Sequence, residues 1–101
     1  MIFITSKDYK DLIIERLEGL DIFNKAMMGG YLFYYDNTLF GGIYENNNFL
    51  IKKTKSNERY NLKEEVPYKG GKPMYLIEDL EDVDTLKNII LDTCKDLPKK
   101  K

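Results

Sequence analysis

The sequence predicts an α+β domain, a two-layer α/β sandwich whose antiparallel sheet of about five strands carries N- and C-terminal helices on one face. Three observations predict it. Apolar residues recur at helical spacing near both ends of the chain. Between them, short β-prone runs alternate with turn residues. A chain of 101 residues, 43% hydrophobic and 33% charged, has the size and composition of one globular domain spanning residues 1–101.

The first helix follows Thr5-Ser6-Lys7-Asp8, which has the form of a capping box: a hydroxyl at the cap and a carboxylate three residues on. Tyr9, Leu12, Ile13, Leu17 and Leu20 share its apolar face, and Gly19 and Asp21 mark its end. Arg16 flanks that face, so its stem is expected on the core and its guanidinium in water.

A meander is expected next, with strands at about 22–28, 30–36, 38–45 and 49–54. Asp36-Asn37 suits a two-residue hairpin turn because both residue types tolerate positive φ. Asn46-Asn47-Asn48 makes a second turn. Ser56 to Leu62 reads as a short helix or turn, Tyr68 to Pro73 as a loop, and Met74 to Ile77 as the last strand. The final helix begins at Asp82 or Asp84, with Leu86, Ile89, Ile90 and Cys94 on its apolar face. Pro98 stops it, and Lys99-Lys100-Lys101 is expected to trail as a disordered tail.

The stretch KAMMGGYLFYYDNTLFGGIY raises a question of its own, because Gly29-Gly30 and Gly41-Gly42 interrupt aromatic strand. A phosphate cradle leads from glycine into a helix, whose free N–H groups meet the anion. Both pairs here lead into strand-like sequence, so a steric role is expected, with each glycine facing a bulky cross-strand side chain and permitting a bulge. The hairpin register then pairs Tyr34 with Leu39, Leu32 with Gly41 and Tyr31 with Gly42. It puts Leu32, Tyr34, Leu39 and Ile43 on one face and Tyr31, Phe33, Tyr35, Phe40 and Tyr44 on the other. Since two helices cover one face, the aromatic set is a candidate interaction surface for a protein partner or self-association.

Composition narrows the chemistry. Net charge is −1 and histidine is absent. Cys94 is the sole cysteine. Histidine-based triads, zinc sites built on histidine or paired cysteines, and an internal disulfide are therefore excluded. No catalytic, metal or cofactor residues are assigned, and a non-enzymatic protein is expected. The opening MIFITSKDYK has too short an apolar run for a secretory signal, and no run approaches a membrane span. A cytoplasmic protein is expected.

Weaker candidates remain beside their plain readings. Lys69, Gly70, Gly71 and Lys72 could hold an anion or small ligand, or form only a tight turn before Pro73. Lys52, Lys53 and Lys55 beside aromatic strands could bind single-stranded nucleic acid, or serve as edge lysines against aggregation; direct nucleic-acid binding is not the expectation. Glu78-Asp79-Leu80-Glu81-Asp82-Val83-Asp84 lacks the order of a calcium loop and suits the positive end of a helix. Cys94, on an apolar face, reads as a buried small hydrophobe.

Lys25-Ala26-Met27-Met28-Gly29-Gly30-Tyr31 resembles the "R-x-M-F-G-G-Y/F" opening of the TfoX/Sxy N-terminal domain family. Thr38-Leu39-Phe40-Gly41, Phe49-Leu50-Ile51-Lys52 and Pro67-Tyr68 through Gly71-Lys72-Pro73-Met74 are similar to its later motifs, in order, over about residues 10–96. The resemblance implies a two-layer domain with an antiparallel sheet and a non-enzymatic regulatory or protein-interaction role, the best-known members acting as co-activators in DNA-transformation competence. In those members a helical C-terminal domain follows; here it is expected to be absent. The motif positions Met28, Gly29, Gly30, Phe40, Lys52, Gly71, Lys72 and Pro73 are implied to be structural.

Overall fold

Asp36 and Asn37 both adopt left-handed backbone, at φ 49° and 61°, and close the hairpin the sequence predicts. The computed structural model describes residues 6–27, 29–44 and 47–99. On either side of this turn lie β2 (Gly30–Tyr35) and β3 (Thr38–Tyr44), preceded by α1 (Ser6–Arg16) and β1 (Ile22–Met27). Then come β4 (Asn48–Ile51), a short 3-10 turn at Glu58–Tyr60, β5 (Lys63–Glu65), β6 (Met74–Leu76) and α2 (Val83–Lys95).

The strands form one antiparallel sheet in the order β1-β2-β3-β4-β6-β5. It has six strands where about five were expected. The addition is β5, whose Lys63, Glu64 and Glu65 carry no apolar signal because the strand is an edge. The expected capping residue Thr5, the turn residue Asn46, Met28 and Lys100–Lys101 lie outside the described residues.

Both helices pack on the same side. Ile13 and Leu17 from the first helical segment meet Leu86, Ile89 and Ile90 of α2 over Phe33, Phe40, Phe49 and Ile51 in a single core. Phe33 sits at its centre, stacked on Phe40 at 6.2 Å and edge-on to Phe49 at 5.6 Å. α2 starts where Asp82 accepts from the Thr85 amide at 3.2 Å and its hydroxyl at 2.7 Å, which satisfies an otherwise orphan helix donor.

The hairpin register departs from expectation one step beyond the turn. Tyr34 pairs with Leu39 as expected, but Phe33 then pairs with Gly41, Leu32 with Gly42 and Tyr31 with Ile43. Phe40 is the extra residue of a β-bulge. Past it, every β3 side chain has changed face relative to the unbulged register. Ile43 therefore joins Tyr31 on the helix side, and Tyr44 moves to the opposite side.

Gly41 and Gly42 face bulky cross-strand partners, Phe33 and Leu32, as expected, and they also leave room for neighbouring main chain. A Cβ on Gly41 would strike the Leu50 carbonyl oxygen, and one on Gly42 the Tyr31 carbonyl oxygen. The central strands approach through positions where only hydrogen fits.

Candidate interaction surface

The aromatic face expected to stay open is the one the helices cover. Phe33 and Phe40 are 0% exposed, and Tyr31 and Tyr35 are half-buried against the same core. This overturns Tyr31, Phe33, Tyr35 and Phe40 as an exposed interaction surface. The reason is energetic: burying a large ring contributes about 1.5–3 kcal/mol, so the helices settle where the rings are. Tyr44, assigned to that set, lies across the sheet from it, because the bulge reverses its side.

The opposite face has no helix over it among the described residues. Tyr34, Leu50 and Met74 are buried there, separately from the main core. Phe23 on β1 stands beside them, 65% exposed, with its ring 5.8 Å from that of Tyr34. Strand pairing lays a continuous row across this face: Lys25, Leu32, Gly42, Leu50, Leu76, Lys63. A second row holds Phe23, Tyr34 and Leu39. The centre of this face is closed by the chain itself, Leu50 being 0% exposed and Gly42 buried, and the exposed side chains lie at its edges, Phe23 and Lys25 on β1 and Lys63 on β5.

The loop between β5 and β6 borders this face. Pro67 is buried, whereas Tyr68 is 54% exposed. Burial pushes the Tyr44 phenol above its usual pKa, and the nearby Tyr68 and Tyr34 phenols push it further. The Tyr44 hydroxyl therefore stays protonated at neutral pH and can donate or accept hydrogen bonds.

Towards the helices and rims, Lys10 pairs with Asp11, Lys53 with Glu64 at 3.0 Å, Arg59 with Asp92 and Lys99 with Asp36 at 2.7 Å, while Lys87 and Lys95 on α2 form no ion pair among the described residues. The Glu64 carboxylate holds the Lys53 ammonium above its usual pKa. Lys25, Lys52 and Lys63 form no ion pair among the described residues.

The remaining candidates fall apart spatially. Lys52 follows Leu50 on the helix-free side, while Lys53 lies over the Tyr75 ring at 5.5 Å on the helix side. The basic trio with Lys55 therefore shares no face. In the glycine loop, Gly70 takes φ 84° and the Gly71 amide donates to the Tyr68 carbonyl at 2.9 Å, so that amide is engaged within the turn. Lys69, Lys72 and Pro73 are exposed there. Arg16 is one-third exposed, its guanidinium 3.9 Å from Glu81. Cys94 is half-buried, and burial pushes its thiol up to about 11, as expected of a small core residue. Among the described residues, no group of three acidic, histidine or cysteine side chains could hold a metal ion. Nor is any described helix long and apolar enough to cross a membrane.

Sequence reading missed Phe23, Lys25 and Lys63 as surface residues. The first two were read only as strand and motif positions, and Lys63 fell outside every predicted strand. The available signal was the alternation of Phe23 and Lys25 with Ile22 and Asn24. The chain matches no family model, and no curated protein matches it significantly.

Proposed function

We propose that this chain is a non-enzymatic, regulatory protein-interaction domain of the TfoX N-terminal type, working in the cytoplasm and binding its partner through the helix-free face of the sheet. The observation that carries the reading is the β1 edge of the helix-free side, where Phe23 stands 65% exposed beside the exposed Lys25. Exposed aromatic and aliphatic area ringed by polar groups is the usual composition of a protein-binding patch. The ordered motifs over residues 10–96 support the family resemblance, and an antiparallel sheet with helices on one side is compatible with the fold that resemblance implies. On that resemblance, the role is in transcriptional control of competence rather than in catalysis.

A photo-crosslinking phenylalanine analogue at position 23 tests the reading in cells. A discrete protein adduct from position 23, with none from the same analogue at exposed Glu18 on the helix side, is the expected result. Adducts from neither position, or only from Glu18, would overturn it.

A further inference from the structure

The sheet ends in two edge strands, β1 and β5, and they differ. β5 is three charged residues, Lys63–Glu65, with Glu64 held by Lys53, so that edge is short and guarded. β1 is six residues long and pairs with β2 on one side, and no strand lies on its other side among the described residues. The outer main chain of such an edge offers donors and acceptors to a further strand. Lys25 is the only charged residue in β1, and Phe23, Lys25 and Ala26 are exposed along it.

Asp21, just before β1, falls on the same side as Phe23 and Lys25 by alternation. The three line one hollow with Tyr34 and Asp36, and Asp36 is held by Lys99 at 2.7 Å. Asp21 and Lys25 form no ion pair among the described residues. Four residues apart on a strand, they stand about 13 Å from each other, too far to pair within the chain. An exposed ring is thus flanked by one unpaired charge of each sign.

We infer that β1 pairs antiparallel with β1 of a second copy, joining two sheets edge to edge. Phe23 faces the partner's Phe23, and Asp21 of each chain faces the partner's Lys25. The inference rests on the interaction-domain reading and names the partner. Directly opposite residues in an antiparallel pair share a face and lie about 4.5–5.5 Å apart, within reach of ring contact and ion pairing. Turning the copy by 180° reverses the order acid, ring, base, so opposite charges meet at both ends. The same register keeps Lys25 from facing itself.

Other occupants fit this edge less well. A strand of one sign meets like charge at either Asp21 or Lys25. Single-stranded nucleic acid meets the carboxylates of Asp21 and Asp36 in the hollow, which repel phosphate. A second copy already carries the complementary order.

Sedimentation equilibrium on the whole chain tests the inference, and a dimer that dissociates on dilution is expected. D21K and K25D each set like charges opposite one another at both ends, and each should weaken dimerisation at least tenfold. Mixed in equal amounts, the two variants restore both ion pairs and should form a heterodimer about as tight as the native dimer. Both positions are exposed, so the variants keep the fold, which melting curves check. Register is read by air oxidation of F23C in a C94A background, which should give a disulfide-linked dimer because position 23 faces its own copy. K25C in that background should not, since its two copies lie about 14 Å apart, beyond the ~7 Å Cα limit for a disulfide. A monomer up to about 1 mM, a dimer indifferent to D21K and K25D, a mixture that stays monomeric, or K25C linking ahead of F23C would each overturn the inference. If position 23 captures only a different protein in cells while the chain stays monomeric, the interaction reading stands and this partner falls.

Discussion

Asn57 donates from Nδ2 to Thr93 Oγ1 at 2.8 Å, joining the segment after β4 to the last helix. Asn57 is wholly buried, and its amide group is fully used: Nδ2 also donates to the Lys52 carbonyl at 2.9 Å, and Oδ1 accepts from the Thr54 amide at 2.9 Å. The Thr93 hydroxyl in turn donates to the Ile89 carbonyl at 2.7 Å. Asn57→Ala would leave these groups unpaired in the interior and should cost about 2–3 kcal/mol. Urea denaturation measures it, and a loss under about 0.5 kcal/mol, the size of an ordinary surface change, would refute the role.

Gly41→Ala and Gly42→Ala should each destabilise by more than about 4 kcal/mol, because the added methyl meets fixed main chain and no side chain can move aside. Gly29→Ala is the control. Its added Cβ meets open space, and only the left-handed φ of 78° opposes it, at roughly 1–2 kcal/mol. Thermal melts should rank the three variants in that order.

Phe33→Ala and Phe23→Ala separate core from surface on neighbouring strands. The first removes a ring enclosed by Phe40 and Phe49 and should cost about 3–5 kcal/mol. The second removes an exposed ring and should change stability by no more than about 0.5 kcal/mol while weakening capture of a protein partner.

Acid unfolding should have a specific contribution from Asp82. Hydrogen bonds from the Thr85 hydroxyl and amide hold its carboxyl below the usual value of 3.8. A lowered folded pKa means stability that is complete above the unfolded value and is lost as pH falls through the folded one. Asp82→Asn keeps a capping oxygen but cannot titrate. It should leave the melting temperature at pH 7 nearly unchanged and make its decline below about pH 4 shallower.

Cys94 should react sluggishly. With its pKa near 11 against an ordinary 9.0, the native protein at pH 8 holds roughly a hundredfold less thiolate than a free thiol. Iodoacetamide labelling should be slower by about that factor in the native state and return to the free-thiol rate in urea. Equal rates in both states would show the thiol to be exposed.

Local chemistry determined much of this protein. The turn at Asp36-Asn37, the apolar face of α2, the Pro98 stop and the strand character around both glycine pairs follow from neighbouring residues, because φ preference and side-chain spacing act over a few positions. Three features required the tertiary structure. Phe40 slips into a bulge, and a single inserted residue reverses which side each later β3 side chain takes, so alternation could not place Ile43 or Tyr44. The helices cover the phenylalanine face, a choice between two apolar faces that depends on total area buried and not on period. β5 pairs at an edge through main chain alone, so Lys63 acquires its place opposite Lys25 only once six strands are assembled.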